Sequence, residues 1–279
     1  MLEVPTMTPF MTPLADCPRT TLAAMKGILT DIDETVSSES RLTAEAYGAM
    51  EALKKAGFLV IPVTGRPAGW CDHIARFWPV DAVVGENGAF WMWHDDRQHK
   101  LRTRFVLDEA VRAEGQRRLH AVRAEVLRAV PGSGIASDQP YRAADLAIDF
   151  CEDVPALPHA AILQIVKIFE AHGARAKVSS IHVNGWFGDY DKLTTSRLMM
   201  KELFGVDLAT ERDRYVYAGD SPNDAPMFGY FPNAVGVANV RDVAADMDHL
   251  PRWITPSRSG AGFVELANAL IEARRGTQP

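Results

Sequence analysis

The stretch Ile28-Leu29-Thr30-Asp31-Ile32-Asp33-Glu34-Thr35-Val36 decides how the rest of the chain is read. An apolar run rises through residues 25–29 and stops at two aspartates one residue apart. Such a run reads as a buried strand reaching the carboxyl edge of a parallel sheet. In open α/β sheets that edge is where ligands bind. Side chains alternate along a strand, so Asp31 and Asp33 project to one side if the strand stays straight. Two close carboxylates repel, and burial sharpens the repulsion, so the pair calls for a cation or a shared proton. An Asx-rich turn leaving a strand would use the same residues, and this stretch alone does not separate the two readings.

Working outward, 279 residues suffice for one large domain or two modest ones, and 47% hydrophobic residues supply ample core. A net charge of −6 without a long basic run speaks against a nucleic-acid surface. Cys17, Cys71 and Cys151 are scattered, with no zinc-like spacing, which predicts a reducing compartment and no structural zinc. No apolar run reaches 18 residues, so no membrane span is expected. Residues 1–24 hold Pro5, Pro9, Pro13 and Pro18 without a basic start or an apolar segment. They read as a Pro-rich arm rather than a signal peptide, and the expected location is cytoplasmic.

Downstream, Thr43 is a candidate N-cap for a helix that Gly57 ends. A second apolar strand, 58–63, runs into Thr64-Gly65-Arg66-Pro67. A hydroxyl and a glycine N–H at a strand end beside a helix start suit phosphate oxygens, although a plain βα turn uses the same residues. Arg66 is read as structural and left outside the site. A helix to about residue 77 and a third strand, 80–84, complete βαβαβ, the pattern of a doubly wound parallel sheet.

The alternation then breaks. An aromatic strand at 90–93, a long amphipathic helix over 108–130, and strands at 146–150, 176–179 and 181–187 around a helix at 158–172 predict a separate α+β domain over 89–187. Trp91 and Trp93 read as core at its junction. Doubly wound segments resume, with Lys192 opening a helix and a strand at 215–218 running into Gly219-Asp220-Ser221-Pro222-Asn223-Asp224. The expected division is an arm at 1–24, a sheet domain at 25–88 and 188–279, and the insertion at 89–187.

Four items thus follow one another along the chain: 31–35, 64–66, Lys192 and 219–224. Together with Gly85-Glu86-Asn87-Gly88-Ala89 and Gly236-Val237-Ala238-Asn239, they make the chain resemble the haloacid-dehalogenase-like hydrolases. The insertion resembles the C2-type cap of the Cof-like branch, which includes sucrose-phosphate and mannosyl-3-phosphoglycerate phosphatases. The resemblance implies an α/β fold, a doubly wound parallel-sheet core with an inserted α+β cap, and hydrolysis of a small phosphate ester. Asp31 is then the nucleophile, forming an aspartyl-phosphate, and Asp33 the general acid and later base. Mg²⁺ is the implied cofactor, with Asp31, Asp33 through its carbonyl, Asp220 and Asp224 around it. Thr64, Gly65, Lys192 and Asn223 would hold the phosphoryl group.

Glu34 stands where the family often has glycine, and it is expected to point away from the phosphate. Arg142, His182, Asn184 and Trp186 are the candidate substrate-facing residues of the cap; the last three share a face of one strand. Tiling of the cap's own sheet would place them equally well. A phosphomutase or other phosphotransferase on the same scaffold, and a non-catalytic phosphate-binding regulator, remain as alternatives.

Overall fold

The computed structural model describes residues 11–276. Its strands are β1 (Thr12–Pro13), β2 (Gly27–Thr30), β3 (Leu59–Pro62), β4 (Val83–Gly85), β5 (Phe90–Asp95), β6 (Lys100–Phe105), β7 (Gly134–Ile135), β8 (Leu146–Asp149), β9 (Arg175–Val178), β10 (His182–Trp186), β11 (Tyr215–Gly219), β12 (Val235–Gly236) and β13 (Trp253–Ile254). The helices are α1 (Arg19–Ala23), α2 (Ala44–Lys55), α3 (Ala68–Phe77), α4 (Glu109–Ala129), α5 (His159–Ala171), α6 (Lys192–Phe204), α7 (Leu208–Glu211), α8 (Ala225–Tyr230) and α9 (Ser259–Arg275).

A six-stranded sheet in the order β1-β13-β12-β11-β2-β3, parallel throughout, forms the centre. Away from the edge strand β1 its strands are mostly apolar and buried almost throughout, because both faces are covered. Ile28, Val60 and Val216 pack toward α2 and α9, against Met50, Leu53, Phe263 and Leu266. Their neighbours Leu29, Ile61 and Tyr217 face the other way, into Met199, Met200, Met227 and Phe228 of α6 and α8. The period of two along each strand thus assigns one residue to each core. Placing β2 beside β11 sets the ends of both, and so Asp31 and Asp220, side by side at the carboxyl edge.

The described part of the expected Pro-rich arm, residues 11–24, packs on this body. Thr12 and Pro13 form the edge strand against Trp253 and Ile254, a position that tolerates proline. Leu14, Cys17, Leu22 and Met25 are buried in the α9-side core, each adding apolar area withdrawn from water. Residues 1–10 lie outside the described residues.

The insertion divides into two parts. The hairpin β5–β6 pairs with β4, which in turn bridges to Val63 beyond β3, so residues 90–105 extend the sheet domain. Trp91 is buried and Trp93 packs beside it in the α6-side core. Past α3 and the hairpin, the antiparallel sheet β7-β8-β10-β9 carries α4 and α5 on one face. Leu146, Ile148 and Val183 point toward Leu119, Val122, Ile165 and Phe169 of those helices. The alternate residues His182 and Asn184 therefore face the opposite side, paired across the sheet with Asp149 and Ala147.

One carboxylate fastens this unit to the sheet domain. Glu86, fully buried, accepts hydrogen bonds from the backbone N–H groups of Ala68, Ala143, Ala144 and Asp145 at 2.6–3.1 Å. Arg142 adds a bond to the Gly65 carbonyl at 2.9 Å, its other donors being held by Asp138 and Asp145. Glu86→Gln replaces one acceptor oxygen by an NH₂ group facing two N–H donors. The expected loss is about 1–3 kcal/mol of stability, read by denaturant unfolding; a midpoint equal to wild type would show that the carboxylate does not fasten the cap.

Candidate active site

The site is assembled from the ends of β2, β3 and β11 and the start of α6. Asp31 leaves β2 with its N–H bonded to the Ala218 carbonyl at 2.9 Å, which turns its side chain over the sheet edge. Lys192 is the first residue of α6, whose N-terminus is closed by a capping box between Asp191 and Thr194. Its ammonium donates to Asp31 Oδ1 and Asp224 Oδ1, both at 2.8 Å, and to Asn223 Oδ1 at 3.3 Å. Carboxylate oxygens of Asp31, Asp220 and Asp224 all lie within 4.8 Å of one another.

The three carboxylates do different work. Asp224 is saturated: besides Lys192 it accepts from the Tyr217 hydroxyl and from the N–H groups of Asp220 (3.0 Å) and Ser221 (3.2 Å). It positions Lys192 and the 219–224 loop rather than offering a free oxygen. Asp220 accepts from the Thr35 hydroxyl at 2.9 Å and from Asn239 Nδ2 at 2.8 Å, which aim it at Asp31.

One ammonium does not neutralise three buried carboxylates. Burial, with added repulsion from Asp224 and Asp33, pushes the Asp31 carboxyl up to about 7 against the pull of Lys192. Burial, then Asp31 and Asp224, drives Asp220 well above the ordinary carboxylate range. Burial alone would lower the Lys192 ammonium, but Asp224 and Asp31 outweigh it and hold it above its usual value. Missing positive charge amid oxygen ligands, with neither histidine nor cysteine in the cluster, fits a hard divalent cation such as Mg²⁺.

Thr64 is fully buried and its hydroxyl accepts from the Arg66 N–H at 3.0 Å, which closes the turn around Gly65. Asp33 is not part of the acidic cluster. Its carboxylate meets the Arg66 guanidinium through Nε (2.9 and 3.1 Å) and Nη2 (2.8 Å), so a metal would meet Asp33 only through its main chain. Arg66, left aside in the sequence reading, is buried and lies 4.4 Å over the Trp70 ring. It also reaches Glu152 at 3.3 Å and Asp138 at 3.6 Å, both from the inserted domain. The Glu34 carboxylate is held by the Ser40 N–H and the Ser259 hydroxyl.

The four cap candidates separate. Arg142, His182 and Asn184 line a cavity of about 10 Å³ together with Asp31, Asp33, Gly65 and Arg66. Asn184 donates to Asp145 at 2.9 Å, and His182 Nε2 lies 2.8 Å from Glu152 Oε2 without hydrogen-bond alignment. Trp186 does not join that cavity: its ring stacks on Tyr190 at 5.7 Å and its indole N–H donates to the Tyr190 carbonyl at 3.3 Å. It ends its strand beyond the neighbouring β8 pairing and lines instead the adjoining cavity that Lys192 and Asn223 also line. The cavity of about 10 Å³ beside Arg142, His182 and Asn184 holds about one water.

Missed in the sequence were Arg66, Glu86, Glu152, Tyr217 and Asn239. Glu86 and Asn239 lay inside the quoted supporting motifs, and an acidic residue or amide in a buried strand-end turn is a signal for a structural acceptor or donor.

A parallel sheet with this edge, and a mixed unit inserted over it, define a capped doubly wound α/β fold. Residues 28–111 match the family model described as haloacid dehalogenase-like hydrolase. The resemblance drawn from the motifs holds in that respect: in fold and over residues 28–111 the chain is haloacid-dehalogenase-like. No curated protein matches the chain. Among solved structures, the Thermoplasma acidophilum protein 0175 matches at 17% identity and TM-score 0.66, over 89% of this chain and 99% of its own. Sucrose-phosphatase from Synechocystis, solved with sucrose and phosphate, matches at 16% and 0.62 over 89% and 98%. The C-terminal domain of Candida albicans trehalose-6-phosphate phosphatase matches at 13% and 0.68 over 95% and 99%. At these identities the likeness is one of fold. Among the described residues no helix is long and apolar enough to cross a membrane.

Proposed function

We propose that the protein is a Mg²⁺-dependent phosphoric monoester hydrolase acting on a small phosphorylated metabolite, a sugar phosphate or phosphoglycerate-type ester. The observation that carries this reading is the buried Asp31 carboxylate held at 2.8 Å by Lys192, beside Asp220 and the Thr64-Gly65 turn. Asp31 attacks phosphorus and the ester P–O bond breaks, giving an aspartyl-phosphate and an alkoxide that takes its proton from Asp33. Asp33 then accepts a proton from water as its oxygen attacks the phosphoenzyme, releasing phosphate and regenerating Asp31. Lys192, Thr64, the Gly65 N–H and Asn223 hold the phosphoryl oxygens, and Arg66 orients Asp33. Mg²⁺, held by Asp31, Asp220 and the Asp33 carbonyl, would offset charge developing on the phosphoryl group. The inserted domain, with Arg142, His182 and Asn184 over the site, selects the leaving group and excludes water.

The deciding experiment is a panel of phosphate monoesters assayed for phosphate release with Mg²⁺. At least one small ester, p-nitrophenyl phosphate included, is expected to turn over. Absence of release from the whole panel would overturn the hydrolase reading.

A further inference from the structure

We propose that Asn87, which none of the four motifs contains, binds the phosphoryl group from the side of the Gly65 turn and Lys192. This rests on the phosphate-ester reading above and adds a residue to it. Asn87 is almost fully buried, yet neither its Nδ2 nor its Oδ1 has a hydrogen-bond partner in the protein. Leaving a buried amide unpaired is costly, so such a group points to a ligand that satisfies it.

Its position says which ligand. A Cβ built on Gly65 would stand 3.2 Å from Asn87 Nδ2 and 3.4 Å from Oδ1, so the amide lies across the bare α-carbon of the phosphate-cradle glycine. The backbone locks it there: Asn87 N–H donates to the Thr64 carbonyl at 3.0 Å, and Glu86 N–H to the Arg66 carbonyl at 3.2 Å. On the other flank the Thr195 hydroxyl donates to the Gly88 carbonyl at 2.6 Å, drawing the turn against the start of α6. Asn87 therefore sits between the Thr64-Gly65 turn and Lys192. It lines, with Lys192 and Asn223, a cavity of about 350 Å³. Two residues that meet there already face the acidic cluster as cation and amide. An amide NH₂ donating to an anionic phosphoryl oxygen makes a charge-assisted bond, stronger than a neutral one. The backbone of Glu86 and Asn87 is left-handed, with φ of 44° and 54°, a conformation uncommon outside glycine that cradles at functional sites retain.

The test uses Asn87→Gly, which suits the left-handed backbone while deleting the amide, and Asn87→Asp, which keeps the shape but sets a carboxylate beside phosphate. Binding of inorganic phosphate to the Mg²⁺-loaded protein is measured by calorimetry, with kcat/KM for p-nitrophenyl phosphate alongside. The glycine variant is expected to bind phosphate roughly tenfold more weakly and the aspartate variant more weakly still, both losing kcat/KM in proportion. Should the glycine variant not fold, the near-isosteric aspartate variant carries the test. Phosphate affinity equal to wild type in the folded variants, with or without a lowered melting temperature, would reduce Asn87 to a structural role and overturn the proposal. Wild type that binds phosphate through Asn87 yet hydrolyses no ester would sink the hydrolase reading and leave this one standing. Wild type that binds no phosphate would overturn both.

Discussion

The Asp31→Asn protein folds as wild type does and releases phosphate at least about a thousandfold more slowly, a rise of roughly 4 kcal/mol in the barrier. An amide oxygen in place of Asp31 Oδ1 still accepts from Lys192, so the bond at 2.8 Å survives the change. What disappears is the anionic oxygen able to bond to phosphorus, and no neighbouring carboxylate replaces it. Asp224 is saturated by four donors, and Asp33 is turned to Arg66. The fold does not suffer, because removing one of three clustered negative charges relieves repulsion. Phosphate release and circular dichroism on the same preparation check both halves. A folded variant within about tenfold of wild type would refute the nucleophile.

Metal-free protein is expected to lose stability as pH rises from about 4 to about 7, and Mg²⁺ to restore it at pH 7.5. The Asp31 carboxyl ionises at about 7 when folded, against an ordinary value of 3.8. Between those values the folded state keeps a proton that the unfolded state has lost. Stability therefore falls with rising pH across that interval. Glu86, which burial likewise raises to about 7, contributes in the same sense but has no contact with the acidic cluster and stays insensitive to Mg²⁺. A cation that binds the ionised form should raise the melting temperature strongly at pH 7.5 and little at pH 5. EDTA should abolish turnover, with Ca²⁺ a poor replacement because its larger, looser coordination misplaces the phosphate. A melting temperature that climbs between pH 5 and 7.5 without metal, or full activity in EDTA, would contradict this account.

The parts legible in the sequence were those whose signal is local. Asp31, Thr64 and Asp220 each end an apolar strand, and Lys192 opens a helix, so one rule about sheet edges brings all four together. Arg66 was read only as structural, and what it holds together could not be seen because its partners lie far along the chain: Glu152 and Asp138 come from the inserted domain, and no local pattern announces them. Trp186 shows the limit of a strand-face argument: its ring stacks on Tyr190 beyond the end of the sheet and lines a different cavity from His182 and Asn184. The N-terminal prolines concealed an edge strand, where a missing N–H is tolerated if it faces away from the pairing partner.

The fastening of the two domains by Glu86 has a consequence for variation. Its carboxylate takes the main-chain N–H groups of residues 143, 144 and 145 and ignores their side chains. Recognition of that kind is blind to side-chain identity, since any residue except proline offers the same donor. The loop that meets the catalytic body is thereby released from side-chain recognition at Ala143 and Ala144, whereas Asn184 behind it stays tied to the clamp through Asp145. A differently built lid could be exchanged onto this sheet so long as three consecutive amides arrive in the same place.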